Sequence, residues 1–119
     1  MWGDDLHLIQ SLFAVGVSAV CGLGEVMLRT GRVDDAAALF EKAVALDATF
    51  TPALTNRGLV MARQGRSAEA LALFAAAQAL NPRDAGTWAG QAESRELGGD
   101  LRGAAADYRQ AVEILLGKD

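Results

Sequence analysis

Cysteine, histidine, proline and aromatic residues are all scarce in this chain, and each scarcity removes a class of function. Among 119 residues there is one cysteine, Cys21, and one histidine, His7. A lone cysteine forms no internal disulfide, so nothing here asks for an oxidising compartment. Cys21 reads as a small apolar residue of a helix, since no cation or helix N-terminus near it would activate a thiol. One cysteine and one histidine cannot supply zinc spacing. No Ser–His–Asp set forms around a histidine confined to the N-terminal segment, and His7 reads as a residue of that helix's face. Glycines are plentiful, but none builds a phosphate-binding loop. The expectation is therefore no catalytic residues, no metal and no cofactor, in a chain that is not an enzyme. Basic charge is short as well. The formal net charge is −4, which argues against nucleic acid, whose binding wants a basic face. The apolar run from Ser11 to Gly24 is about 14 residues, short of the roughly 20 that a membrane span needs. Its flanks are acidic, and MWGDD lacks the basic start of a secretory signal. Neither nucleic acid nor membrane insertion is expected, and the expected setting is cytoplasmic.

What remains is alanine, leucine and glycine at helical spacing. The stretch from Thr51 to Asp84 reads as a complete helix–turn–helix unit. Thr51 is a candidate N-cap and Pro52 suits the first helical position, where a missing N–H costs nothing. Leu54, Gly58 and Met61 recur on one face. Gln64-Gly65 ends the first helix. Ala70, Phe74, Ala77 and Leu80 mark the buried stripe of a second helix, which Asn81-Pro82 stops. Asp84 is placed to cap the next helix.

A shift of 34 residues superposes this unit on its neighbours. Gly31, Gly65 and Gly99 align, as do Ala36, Ala70 and Ala104; Phe40, Phe74 and Tyr108; and Ala43, Ala77 and Ala111. Leu46, Leu80 and Ile114 form another column, and Gly24, Gly58 and Ala92 a further one. Columns of glycine, alanine and aromatics at this period resemble the tetratricopeptide repeat family. The resemblance covers about Val17 to Leu116. It implies an all-α solenoid of antiparallel helix pairs, A and B, with a concave groove lined by the A helices. Three repeats follow: residues 17–50, 51–84 and 85–116, preceded by an N-terminal helical segment, 1–16. The B helices are expected at about Val33–Asp47, Ser67–Leu80 and Leu101–Leu116. The outward side of the second B helix would carry Ala68, Glu69, Ala72, Ala75, Ala76 and Ala79.

The third unit departs from the pattern. Gln91 and Arg95 stand where apolar residues are usual, and an acid such as Asp107 is a candidate partner for Arg95. The segment before Val17 has two readings. Shifted by the same offset, Leu6, Ile9 and Leu12 fall on the columns of Phe40, Ala43 and Leu46, as a remnant B helix covering the first A helix would. Alternatively one long helix runs from about Asp5, capped by Asp4 or Asp5, to Thr30, weakened by Gly16, Gly22 and Gly24.

The family resemblance implies a groove made by Ser18, Cys21, Gly22, Glu25, Leu28 and Arg29 in the first unit. The second contributes Pro52, Thr55, Asn56, Leu59, Ala62 and Arg63. The third contributes Gly86, Ala89, Gly90, Glu93, Glu96 and Leu97. Some family members clamp the C-terminal carboxylate of heat-shock chaperones with lysine, asparagine and arginine at such positions. Here only Asn56 matches, and Ser18, Gly22, Gly86 and Gly90 replace the basic residues, which argues against that ligand. A groove of small and apolar side chains fits an apolar or amphipathic peptide segment of a partner protein. The expected function is a protein–protein interaction module, adaptor or chaperone-like. In size and layout the chain is similar to small chaperones of bacterial type III secretion built from these repeats. The alternative is a self-associating scaffold, a homodimer or larger, or an excerpt of a longer repeat protein. The leucine-rich C-terminal end motivates it.

Overall fold

Three glycines punctuate the chain at equal intervals, and each closes a helical hairpin. Gly31, Gly65 and Gly99 have φ of +82°, +80° and +85°, the left-handed region where a Cβ is costly. Each sits in the same paired turn. In the first, Gly31 N–H donates to Leu28 O and Arg32 N–H to Met27 O. Gly65 and Arg66 repeat this on Ala62 and Met61, and Gly99 and Asp100 on Glu96 and Arg95.

A computed structural model describes residues 2–118; the side chains of residues 2–8 and of Ser11 lie outside the description. The expectations for Asp4, Asp5, Leu6 and His7 fall there. Among the described residues there are six helices and no strand: α1 (Trp2–Arg29), α2 (Val33–Leu46), α3 (Thr51–Arg63), α4 (Ser67–Leu80), α5 (Ala85–Leu97) and α6 (Leu101–Leu115). The pairs α1–α2, α3–α4 and α5–α6 form hairpins, while α1, α3 and α5 lie side by side. This is the all-α solenoid, with an A layer of α1, α3 and α5 and a B layer of α2, α4 and α6.

The layers meet where small residues let helices approach. Ala36, Phe40 and Ala43 of α2 and Ala70, Phe74 and Ala77 of α4 are fully buried. Each phenyl ring lies on a glycine of the facing A helix. A Cβ at Gly24 would stand 2.6 Å from the Phe40 ring, and one at Gly58 2.9 Å from the Phe74 ring. Around these contacts Val17, Cys21, Leu28, Ala53 and Val60 complete one core cluster, and Met61 and Ala62 a second. Leu59 packs against both.

The third hairpin is held differently. Ala92 replaces the glycine, and Tyr108 is 39% exposed. Polar groups fill the interface between α5 and α6 instead. Asp107 is buried, and its Oδ2 accepts from Arg95 Nη1 at 2.7 Å and from Gln91 Nε2 at 3.1 Å. Gln91 in turn accepts from Gln78 of α4 at 3.1 Å. A buried carboxylate is costly unless paired and hydrogen-bonded, and here it is both. Asp84 and Asp100 cap α5 and α6, accepting from Gly86 N–H and Gly103 N–H, each at 2.9 Å.

Four expectations are corrected. Residues 2–16 do not fold back as a separate B-type helix; they continue α1 without a break. At 1.5 Å per residue α1 is about 42 Å long and α2 only about 21 Å, so the first half of α1 runs past its partner. Ile9, Leu12, Phe13 and Val15 are exposed there. Thr51 is the first helical residue, and Phe50 takes the cap position without a side-chain bond. Leu46 and Leu80 are exposed, because the last turn of each B helix extends beyond the core. Finally, the apolar run does not stop at Gly24: Leu12–Arg29 is long and apolar enough to cross a membrane, with a mean hydropathy of 1.6. The same stretch supplies Val17, Cys21 and Leu28 to the core, so insertion would compete with packing on α2 and α3.

Candidate functional site

The inner wall of the A layer is a trough because its helices touch through small side chains. A Cβ on Gly90 of α5 would meet Thr55 Cγ2 of α3 at 2.9 Å and Phe74 Cε1 at 3.3 Å. Beside it the Thr55 and Thr87 hydroxyls share a buried 3.0 Å hydrogen bond. Side chains this short draw α3 and α5 together and leave their inner faces low.

Three adjoining cavities follow. The largest, about 390 Å³, lies between α3 and α5 and reaches Glu25, Pro52, Thr55, Asn56, Leu59, Asp84, Ala89, Glu93 and Tyr108. A second, about 360 Å³, is lined by Glu25, Leu28, Arg29, Asn56, Leu59, Arg63 and Glu93. The third, about 210 Å³, lies at Ser18, Cys21, Gly22, Glu25, Phe50 and Pro52. Glu25 is common to all three, and Asn56, Leu59 and Glu93 to the first two.

The polar groups are tied to one another across helices. Asn56 Nδ2 donates to Glu25 Oε1 at 2.9 Å and lies 3.7 Å from Cys21 Sγ. Arg63 donates to the Leu28 carbonyl at 3.3 Å and to Glu93 Oε1 at 3.2 Å. Glu25 has Arg29 at 3.7 Å. Tyr108 of α6 reaches over the rim to donate to Glu96 Oε1 at 2.5 Å.

Of the eighteen groove residues expected from the sequence, fifteen line these cavities, among them Ser18, Cys21, Glu25, Leu28, Thr55, Asn56, Leu59, Arg63, Ala89 and Glu93, whereas Ala62, Glu96 and the exposed Leu97 do not. Ala62 is buried in the second core cluster. Glu96 sits at the rim, bound by Tyr108. Cys21, Leu28 and Thr55 are themselves buried and present little surface. Burial pushes the Cys21 thiol up, against a smaller lowering by its Asn56 contact, so it acts as an apolar residue and not as a nucleophile. Sequence reasoning missed Tyr108, Asp84 and Phe50 as wall residues, because the groove was read from the A helices alone. Tyr108 comes from a B helix, and the other two from the loops that feed α3 and α5. Among the described residues no group of three His, Cys, Asp or Glu is placed to hold a metal ion.

Two family models of the tetratricopeptide repeat match the chain, over residues 9–49 and 52–84. The chain belongs to the tetratricopeptide repeat family. Such domains are protein-interaction modules. Both matches end before α5, where the polar interface of the third hairpin departs from the repeat pattern. Comparison with curated proteins by sequence finds no match. Solved structures share the fold. MamA superposes with a TM-score of 0.66 at 20% identity, over 86% of this chain and 60% of that one. The first tetratricopeptide domain of Spaghetti (RPAP3), bound to the HSP90 peptide SRMEEVD, gives 0.70 at 22% identity, over 82% and 78%. The Sgt2 domain from Aspergillus fumigatus gives 0.71 at 18%, over 83% and 66%. This chain thus spans less than two thirds of the MamA chain.

The Tyr108–Glu96 contact is open to direct measurement. Its hydrogen bond to Glu96, then burial and the charges of Glu96 and Glu93, push the phenol up to about 12. A raised phenol pKa means that the folded state keeps the proton longer, so this contact stabilises below pH 10 and is lost as pH rises toward 12. Tyr108 is the single tyrosine, so phenolate absorbance at 295 nm reads it alone. Glu96→Gln is expected to move the midpoint down toward the ordinary value of about 10. An unchanged midpoint would place the hydroxyl elsewhere.

Proposed function

We propose that this chain is an adaptor or chaperone-like binding module that holds an amphipathic segment of another protein along α1, α3 and α5. The observation that carries the reading is the continuity of the trough: three cavities share Glu25, and Leu59 stands in the wall between the two largest. Leu59, Pro52 and Ala89 offer apolar surface, and burying one partner leucine there would contribute about 1.5–3 kcal/mol. Asn56 and the ring of carboxylates offer polar anchors around it. That a structural neighbour was solved with a peptide supports a peptide as occupant.

The test uses the full chain and dodecapeptides selected against it from a phage-displayed random library. Titrated into isotopically labelled protein, a selected peptide is expected to shift the amides of Gly22, Asn56, Leu59, Gly86 and Gly90. Ala89→Trp, which places a bulky ring in the largest cavity without changing charge, is expected to remove binding with little change in melting temperature. Shifts confined to α2, α4 and α6, or full binding by Ala89→Trp, would overturn the reading.

Self-assembly is the second reading, and one feature favours it. On the side of α1 away from Val17, Cys21 and Leu28 runs another apolar stripe: Leu12, Val15, Ala19, Leu23 and Val26, all exposed. Their spacing of three and four residues places them along one face. Exposed Leu101, Val112, Leu115 and Leu116 add to this at the other end. Sedimentation equilibrium at rising concentration reads it: a scaffold gains mass, whereas a monomer across the range removes this reading.

A further inference from the structure

The groove carries a sign of charge as well as a shape. Every charged residue that lines the 390 Å³ cavity is acidic: Glu25, Asp84 and Glu93. Among the described residues no lysine, arginine or histidine lines it. Among the described residues two cations stand in the adjoining cavity, each beside one of these carboxylates, so that the acids outnumber them three to two. Arg63 is held between the Leu28 carbonyl and Glu93, and Arg29 lies beside Glu25. Glu96 adds a further carboxylate at the rim.

That field discriminates among occupants. An acidic tail of the SRMEEVD kind, seen with a structural neighbour, would be repelled. So would the chain's own beginning, MWGDD, which is acidic too. A cation is favoured, because a concave, partly desolvated wall focuses the potential of its carboxylates. Apolar surface at Pro52, Leu59 and Ala89 lies within the same cavity.

We propose that the groove's occupant is a cationic amphipathic segment of another protein, which seats apolar side chains on Pro52, Leu59 and Ala89 and a lysine or arginine between Glu25 and Glu93. The proposal rests on the groove reading above and adds the chemistry of the partner. Recognition is then salt-dependent, because half-exposed charges are screened over about 8–10 Å at ordinary ionic strength.

The experiment sequences the dodecapeptides that the phage library yields at low salt. Enriched sequences are expected to combine lysine or arginine with leucine-like residues. A synthetic peptide of that kind is expected to bind about tenfold more weakly to E25Q/E93Q, the combined effect of two ion pairs near the upper end of the exposed range. Glutamine retains the hydrogen bond from Asn56, and circular dichroism verifies that the variant is folded. E41Q/E69Q changes the net charge equally on the outer helices α2 and α4, and is expected to leave affinity unchanged. E25K/E93K is expected to enrich aspartate and glutamate instead. Acidic or uncharged peptides that Ala89→Trp eliminates would overturn the cationic partner and leave the groove reading standing. Equal losses in E41Q/E69Q and E25Q/E93Q would reduce the effect to net charge and overturn the proposal. An absence of enrichment, or enrichment indifferent to Ala89→Trp, would overturn both.

Discussion

A phenyl ring resting on bare backbone is the contact from which the rest of this structure follows. Phe40 and Phe74 are fully buried, and each lies where the Cβ of Gly24 or Gly58 would otherwise be. A side chain on either glycine would have to displace a ring that has nowhere to go in a close-packed interior. The flanking alanines at 36, 43, 70 and 77 leave the B helix equally bare on this side. Layer A and layer B therefore approach closely, with the aromatic ring as the main filler. The helix register is set by the ring and the hairpin angle by the glycine turn that follows each A helix.

The trough is a consequence of that arrangement, not an addition to it. Because the B helices bury the large groups, the A helices are free to be small on their inner side, and α3 and α5 meet through Gly90, Thr55 and Thr87. Where the ring-on-glycine contact lapses, in the third hairpin, the protein changes its means. Ala92 brings a Cβ, Tyr108 turns to the rim, and the chain Gln78–Gln91–Asp107–Arg95 holds α4, α5 and α6 by direction instead of apolar area. Polar networks of this kind are specific when fully satisfied. The displaced tyrosine gives the groove a wall that the first two repeats do not supply.

Much of this was legible in one-dimensional form. The 34-residue offset located the three left-handed glycines that close the hairpins and the buried alanine–phenylalanine stripe of α2 and α4, the helix signals gave the span of α4, and the polar departure of the third unit pointed to the Arg95–Asp107 pair. What escaped it depended on neighbours that a repeat pattern does not encode. Glycines 16, 22 and 24 weaken a long α1 by propensity alone, and a Cβ at Gly16 or Gly22 would meet nothing within 4 Å. The helix simply continues. Leu80 sits in a column that is buried in principle, but the last turn of α4 extends beyond the core, as that of α2 does at Leu46. Ala62 shares the period of the groove face and points into the core, while Leu28 borders the 360 Å³ cavity and is itself buried. Tyr108 was legible as part of an aromatic column and illegible as a wall residue, because its hydroxyl finds its partner, Glu96, on another helix.

The seating of ring on glycine is most directly tested by a double-mutant cycle on Gly58 and Phe74, with stability read by chemical denaturation. Gly58→Ala gains about 1 kcal/mol of helix propensity but overpacks the core, where such insertions cost about 1–3 kcal/mol. It is expected to destabilise the parent, and to become neutral or stabilising once Phe74→Leu has removed the ring. The predicted coupling is about 1–2 kcal/mol, in the range found for residues in contact. Strict additivity of the two substitutions would contradict the account.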